Sequence, residues 1–312
     1  MIEIEHLTKV FGTETAVDDV SLTVPEGTIT VIVGTSGSGK STLIRMVNRL
    51  IEPTSGRVLI DGEDTAGLKP HLLRRRIGYA IQDHGLFPHR TVAENIGTVP
   101  KLLGRDRAAV ARRVDELLTL FQLDPAQFAG RYPHELSGGQ QQRVGVARAL
   151  AAEPRLLLMD EPFGSLDPII RAKARQDLKA IQRKLGTTVL LVTHDMEEAI
   201  DLGDRLAVMD AGRLLQYAAP TEVLLRPATP FVADLVGIGD RPFRVLSLRT
   251  AGEAAEPGPA EGPPIPAATD LREALAQFVW TRRRAAPVVD ADGRVIGRLT
   301  LERLLEQAAR PA

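Results

Sequence analysis

Short apolar runs alternate with amphipathic stretches along most of the chain. Ile2, Ile4 and Leu7 alternate with Glu3, Glu5 and His6, the period of a half-buried strand. Phe11 follows in a short turn ending at Gly12, and Ala16 to Val24 reads as a second strand closed by Pro25-Glu26-Gly27. Thr28 to Val33, Ile77 to Ile81, Leu156 to Met159 and Thr187 to Val192 are apolar or β-branched nearly throughout, as strands covered on both faces are. Arg57 to Ile60 is a further strand entering the turn Asp61-Gly62, and Arg205 to Met209 and Arg213 to Tyr217 form a hairpin across Asp210-Ala211-Gly212. Helical spacing fills the intervals. Leu43, Met46, Val47 and Leu50 share one face of a helix over 41–50. Leu72 to Arg76 is a short basic helix or turn, and Thr91 and Glu94 form a capping box for Val92 to Ile96. Residues 100–123 are helical throughout, with Val110, Val114, Leu117, Leu118 and Phe121 facing inward, and 140–152, 169–185 and 197–202 are helices too. Strands alternating with helices predict an α/β fold, with a helical subdomain over about 86–153 set on the sheet core.

Near Gly239 the pattern changes. Thr250 to Thr269 is rich in Ala, Gly, Glu and Pro, with five prolines between Pro257 and Pro266, and predicts a solvated, partly extended linker. Order returns at Asp270, an N-cap with Glu273 three residues on, and Leu271, Ala274, Leu275, Phe278 and Val279 share the inner face. Pro287 to Val289 and Arg294 to Leu299 make a hairpin, and Thr300 caps a last helix, Leu301 to Ala308. The division expected is a first domain over 1–239, a linker or degenerate segment over 240–268, and a small α+β module over 269–312.

Composition excludes more than it identifies. The 312 residues leave room for about two domains. Lys plus Arg is 39 against Asp plus Glu at 40, so the basic excess of a nucleic-acid protein is missing and no nucleic-acid partner is expected. With no cysteine, disulfides and thiolate metal sites are excluded. The acidic start Met1-Ile2-Glu3-Ile4-Glu5 does not read as a secretory signal. No run approaches the roughly 18 apolar residues of a membrane span, so a membrane role would go through a partner.

The chemistry concentrates after the third strand. Gly34-Thr35-Ser36-Gly37-Ser38-Gly39-Lys40-Ser41-Thr42 fits the phosphate-loop pattern G-x-x-x-x-G-K-[ST] at every fixed position, between a strand and a helix. Its backbone N–H groups and the helix N-terminus form an anion site. Lys40 is expected to reach the β and γ phosphates of a nucleotide, and the Ser41 hydroxyl to ligate Mg²⁺. Asp160 and Glu161 follow an apolar strand whose carboxyl end opens beside such a loop. Asp160 is assigned to the metal and Glu161 to the general base. Ser137 caps a helix opened by Gly138, Gly139 and Gln140, a second N-terminus able to receive an anion.

Taken in order, these residues resemble the ATP-binding subunits of ABC transporters. That family reads a phosphate loop, a Gln after a strand (Gln82), Leu136-Ser137-Gly138-Gly139-Gln140, Asp160-Glu161, Ser165-Leu166-Asp167 and a strand-end His194. The likeness covers roughly residues 1–237. It implies a P-loop NTPase core with an antiparallel β subdomain and a helical subdomain, working with ATP and Mg²⁺. It also implies that Phe11 stacks on adenine, that Gln82 touches Mg²⁺ and the attacking water, and that His194 contacts the γ-phosphate. Two copies would close head to tail, so that Ser137 to Gln140 of one face the phosphate loop of the other. Residues 77–89 and 138–150 are similar to importer subunits for glycine betaine, choline and related quaternary amines. The tail is similar to a cystathionine-β-synthase-type (CBS) module in a single readable copy, with Arg303 where an acidic residue usually holds a ribose. The resemblance thus implies integral-membrane permease subunits, an extracytoplasmic substrate-binding protein and a place on the cytoplasmic face of the inner membrane. An ABC ATPase for another small solute stays open. A soluble, non-transport ABC ATPase and a non-catalytic scaffold are disfavoured, the latter because Lys40, Asp160, Glu161 and His194 are all present.

Overall fold

The computed structural model describes residues 1–81, 85–164, 166–237 and 239–309. It divides into two compact units, Met1–Ala218 and Ala219–Ala312.

The first unit is built on two sheets. Strands β1 (Ile2–Phe11), β2 (Glu14–Val24), β4 (Ser55–Ile60) and β5 (Glu63–Asp64) form an antiparallel sheet in the order β2-β1-β4-β5. The second sheet takes β3 (Ile29–Val33), β6 (Ile77–Ala80), β7 (Leu156–Asp160), β8 (Thr188–Thr193), β9 (Arg205–Asp210) and β10 (Arg213–Ala218) in the order β10-β9-β3-β8-β7-β6. It is parallel except for β10, which returns from β9 as the expected hairpin. Every residue of β3, β7 and β8 is buried, which is why these runs are apolar or β-branched throughout rather than alternating. The core joins Ile2, Ile4 and Val20 of the first sheet to Leu43, Met46, Leu158 and Leu190.

The helices refine the sequence reading. The helix after the phosphate loop runs Lys40–Val47, not to position 50. Asn48 ends it, and Leu50, expected on the buried face, is half exposed because the chain has already left the helical track. The stretch read as helical over 100–123 holds two helices, Thr98–Leu102 and Arg107–Leu120. Gly104 adopts φ 72° between them, and the Asp106 side chain accepts from the N–H groups of Ala108 and Ala109 to start the second. The predicted inner face of that second helix is buried at Val110, Val114, Leu117, Leu118 and Phe121. The Thr91–Glu94 capping box is present in full.

The second unit has its own core of Leu246, Ala251, Ala254, Ile265, Leu271, Ala274, Phe278, Ala286, Val288, Leu299 and Leu304. Strands β11 (Ile265–Pro266), β12 (Ala285–Val289) and β13 (Val295–Thr300) make a sheet under helices Leu271–Thr281 and Leu301–Ala308. Here the linker expectation is corrected. Thr250 and Glu253 form a capping box for helix Ala251–Ala254, whose Ala251 and Ala254 are buried. Ile265 is buried and pairs in parallel with Val288. Small alanines and a two-residue strand carry too little apolar periodicity to stand out in a proline-rich sequence.

Candidate functional site

The sheet register assembles the site. Val33 at the end of β3 lies beside Thr193 at the end of β8, and Val192 lies beside Asp160 at the end of β7. Three neighbouring strands therefore release Gly34, His194 and Glu161 at one carboxyl edge, where open α/β sheets bind ligands.

The phosphate loop is held open by its glycines. A methyl at Gly34 would lie 2.1 Å from the Met209 carbonyl oxygen, and one at Gly39, which has φ 93°, would lie 2.2 Å from the Ala16 carbonyl oxygen. The start of β2 thus abuts the loop, and Gly212, packed against the same Thr15–Ala16 stretch, donates its N–H to the Ser38 carbonyl (3.3 Å). Lys40 is buried at the first turn of its helix and donates to the carbonyls of Gly34 (2.9 Å) and Thr35 (2.7 Å). Burial lowers its pKa, and the nearby Glu161 and Asp160 oppose that shift. Its ammonium therefore rests on backbone oxygens that incoming phosphate oxygens can replace.

Asp160 is buried and doubly held: the Ser41 hydroxyl donates to Oδ1 (2.9 Å) and Arg45 Nη2 to Oδ2 (3.3 Å). Ser41 and Arg45 are four residues apart on one helix, so both face β7. A hydroxyl and a carboxylate 2.9 Å apart beside the phosphate loop are the hard oxygen donors that Mg²⁺ takes, one or two from protein and the rest from phosphate and water. Glu161 leaves the strand at φ 47°, a left-handed value costly for a side chain with Cβ, pinned by its N–H donating to the Val192 carbonyl (2.9 Å). That turn brings Glu161 Oε2 within 3.1 Å of His194 Nδ1.

Other assigned residues sit on other elements. Phe11 closes β1 opposite Glu14, half exposed, with Lys9 Nζ 4.9 Å from its ring centre. Ser137 and Gln140 cap helix Gly138–Leu150 reciprocally: Ser137 N–H donates to Gln140 Oε1 (2.9 Å) and Gln140 N–H to Ser137 Oγ (3.4 Å). Among the described residues, neither Phe11 nor Ser137 to Gln140 hydrogen-bonds to Lys40, Ser41, Asp160, Glu161 or His194. Gln82 and Ser165 lie outside the described residues.

With this geometry in place, the comparisons are specific. The ABC transporter family matches residues 17–164, and the CBS domain family residues 262–310. A glycine betaine uptake system ATP-binding protein of Escherichia coli K12 is 47% identical over 99% of this chain and 100% of its own length. An osmoprotectant import ATP-binding protein of Salmonella typhimurium is 48% identical over 95% of this chain and 78% of its own. The chain belongs to the ATP-binding proteins of ABC transporters. Among solved structures, a dimeric bacterial ABC transporter cassette is 35% identical with a TM-score of 0.64, over 70% of this chain and 99% of its own. A post-hydrolysis dimer of such a cassette with ADP and phosphate gives 34% and 0.63, over 70% and 99%.

An ABC-type ATPase binds ATP, and the cassette contains three supporting residues that sequence reasoning passed over. Arg45 was visible as a cation one turn after Ser41. Gln142 is buried, and its Nε2 donates to the Pro162 carbonyl, tying helix Gly138–Leu150 to the turn after Glu161. Glu198, on helix Met196–Leu202, is buried with its Oε2 accepting from Thr193 Oγ1 (3.2 Å), while that hydroxyl also accepts from Asp195 N–H (3.0 Å). Burial pushes the Glu198 pKa up to about 8, against the Thr193 bond and the more distant Arg175 and Arg171. An acid on an otherwise apolar helix face, four residues after His194, was the available signal.

Among the described residues no helix is long and apolar enough to cross a membrane.

Proposed function

We propose that the chain hydrolyses ATP to power import of a quaternary-amine osmolyte such as glycine betaine or choline. It would act as a homodimer beneath integral-membrane permease subunits, at the cytoplasmic face of the membrane, with an extracytoplasmic binding protein delivering the solute. The observation that carries the cargo is the 47% identity to a glycine betaine uptake ATP-binding protein along its whole length. A choline transport ATP-binding protein of Bacillus subtilis at 48% over 76% of this chain supports the same class.

The residues divide the reaction as follows. The N–H groups of Gly34 to Thr42 and Lys40 hold the β and γ phosphates, and Phe11 offers its exposed ring to the adenine. Ser41 and Asp160, with Gln82, would hold Mg²⁺, which when bound neutralises phosphate charge. Glu161 takes a proton from the attacking water as its oxygen bonds to the γ-phosphorus. The bond to the β–γ bridging oxygen breaks, leaving ADP and phosphate. His194, held by Glu161, contacts the γ-phosphate. Ser137, Gly138, Gly139 and Gln140 of the partner copy close over the same phosphates, and their capped helix N-terminus faces the developing charge. Leu86 to His89, in which Phe87 is 38% exposed, receives a short cytoplasmic helix of the permease.

The test is reconstitution with its permease subunits and binding protein in vesicles. ATP-driven uptake of labelled glycine betaine or choline, but not sulfate, is the result expected. ATP-driven uptake of sulfate with no uptake of either amine would overturn the cargo while leaving the ATPase intact.

A further inference from the structure

Helix Gly138–Leu150 ends in a contact that the ATPase chemistry does not use. Arg148 Nη1 donates to the Gly85 carbonyl (2.7 Å), and its guanidinium carbon lies 5.7 Å from the centre of the Phe87 ring. Arg90 covers the same ring at 4.8 Å. From below, the fully buried Asn95 accepts from Phe87 N–H (2.8 Å), and its Nδ2 donates to the carbonyls of Phe87 (3.2 Å), Arg90 (3.1 Å) and Thr91 (3.0 Å). The loop is thus a rigid apolar platform, with the Phe87 ring contacted by two cations.

The other end of that helix meets the catalytic edge. Gln142 holds the Pro162 carbonyl, one residue past Glu161, and Ser137 to Gln140 form its capped N-terminus. From Ser137 to Arg148 is about 16 Å of straight helix. Arg148 is partly buried, and that burial lowers its pKa. A planar guanidinium can donate to the Gly85 carbonyl and lie by the Phe87 ring at once, which an ammonium does less well.

We propose that Arg148 is a positioning residue for energy coupling. It fastens the Gly85–Phe87 loop to the helix whose Gln142 steadies the Glu161–Pro162 turn, so that movement of one is passed to the other. This rests on the reading that Leu86 to His89 faces the permease.

The experiment uses the complete transporter in vesicles and measures solute moved per ATP hydrolysed. Arg148→Lys keeps the charge and removes the fork. It is expected to lower that ratio severalfold, because the ammonium cannot hold the Gly85 carbonyl and lie by the Phe87 ring together. A merely structural role would lower transport and hydrolysis together and leave the ratio unchanged. Phe87→Leu keeps an apolar contact, removes the ring that both guanidiniums cover and is expected to lower the ratio in the same direction. An unchanged ratio in both variants overturns the proposal. Leu86→Ser with Phe87→Ser separates the two readings. If that double variant still assembles and transports normally, the permease contact is wrong. If it uncouples while Arg148→Lys and Phe87→Leu stay coupled, only the role of Arg148 fails.

Discussion

The carboxyl edge of the six-stranded sheet and the segment from Thr250 to Ile265 make opposite demands on the chain. At the edge, Lys40 comes from more than a hundred residues before Asp160, Glu161 and His194, and all four meet because β3, β7 and β8 are in register. The C-terminal segment is short and local, yet Ala251, Ala254 and Ile265 belong to the core of their unit. The first region announces itself by chemistry and is assembled by distant strands. The second carries no chemistry and reveals its burial only through the partners it packs against.

The largest effect is expected at the edge. Glu161→Gln removes the proposed base while preserving shape, and should lower steady-state phosphate release about a thousandfold. ATP binding should persist, with a dimer accumulating in light scattering; full turnover would dissolve the assignment. Lys40→Ala works differently, weakening nucleotide affinity by about ten- to a hundredfold through loss of a charged donor.

Glu198, buried with its carboxyl on the Thr193 hydroxyl, tests what burying an acid costs here. Its folded-state pKa, about 8, lies above the ordinary 4.5, so the folded protein keeps a proton that the unfolded chain gives up. Its stabilising contribution is complete below pH 4.5 and is lost as pH rises through about 8. The slope approaches about 1.4 kcal/mol per pH unit within that window, a few kcal/mol in all. Denaturant melts across pH should show this fall in the wild type and a flatter profile in Glu198→Gln. Identical profiles would mean that Glu198 stays ionised.

The C-terminal region is sharpened by Ile265→Ala. A buried isoleucine costs about 2–4 kcal/mol when truncated, whereas a residue in a solvated linker stays within about 0.5 kcal/mol. Denaturant unfolding of that unit, with ATP affinity of the cassette as the internal control, decides between them. Thr250→Ala should cost about 1 kcal/mol through its lost helix cap, the smallest of these effects.

Much of this protein was determined locally. Glycine spacing specifies a phosphate loop because only certain backbone angles cradle an anion, and unbroken apolar runs specify buried strands because both faces are covered. Capping residues mark helix starts because they satisfy free N–H groups within three residues, as Thr91, Ser137 and Thr300 do. Tertiary structure alone decided the rest. The left-handed turn at Glu161 is stabilised by a carbonyl 31 residues away in sequence, that of Val192. The second partner of Asp160 on Arg45, the hold of Gln142 on Pro162 and the grip of Arg148 on Gly85 depend likewise on which elements the fold sets side by side. No pattern along the chain encodes such contacts. Removing these polar groups from water costs energy that only their pairing offsets, and that pairing exists only once the distant segments have met.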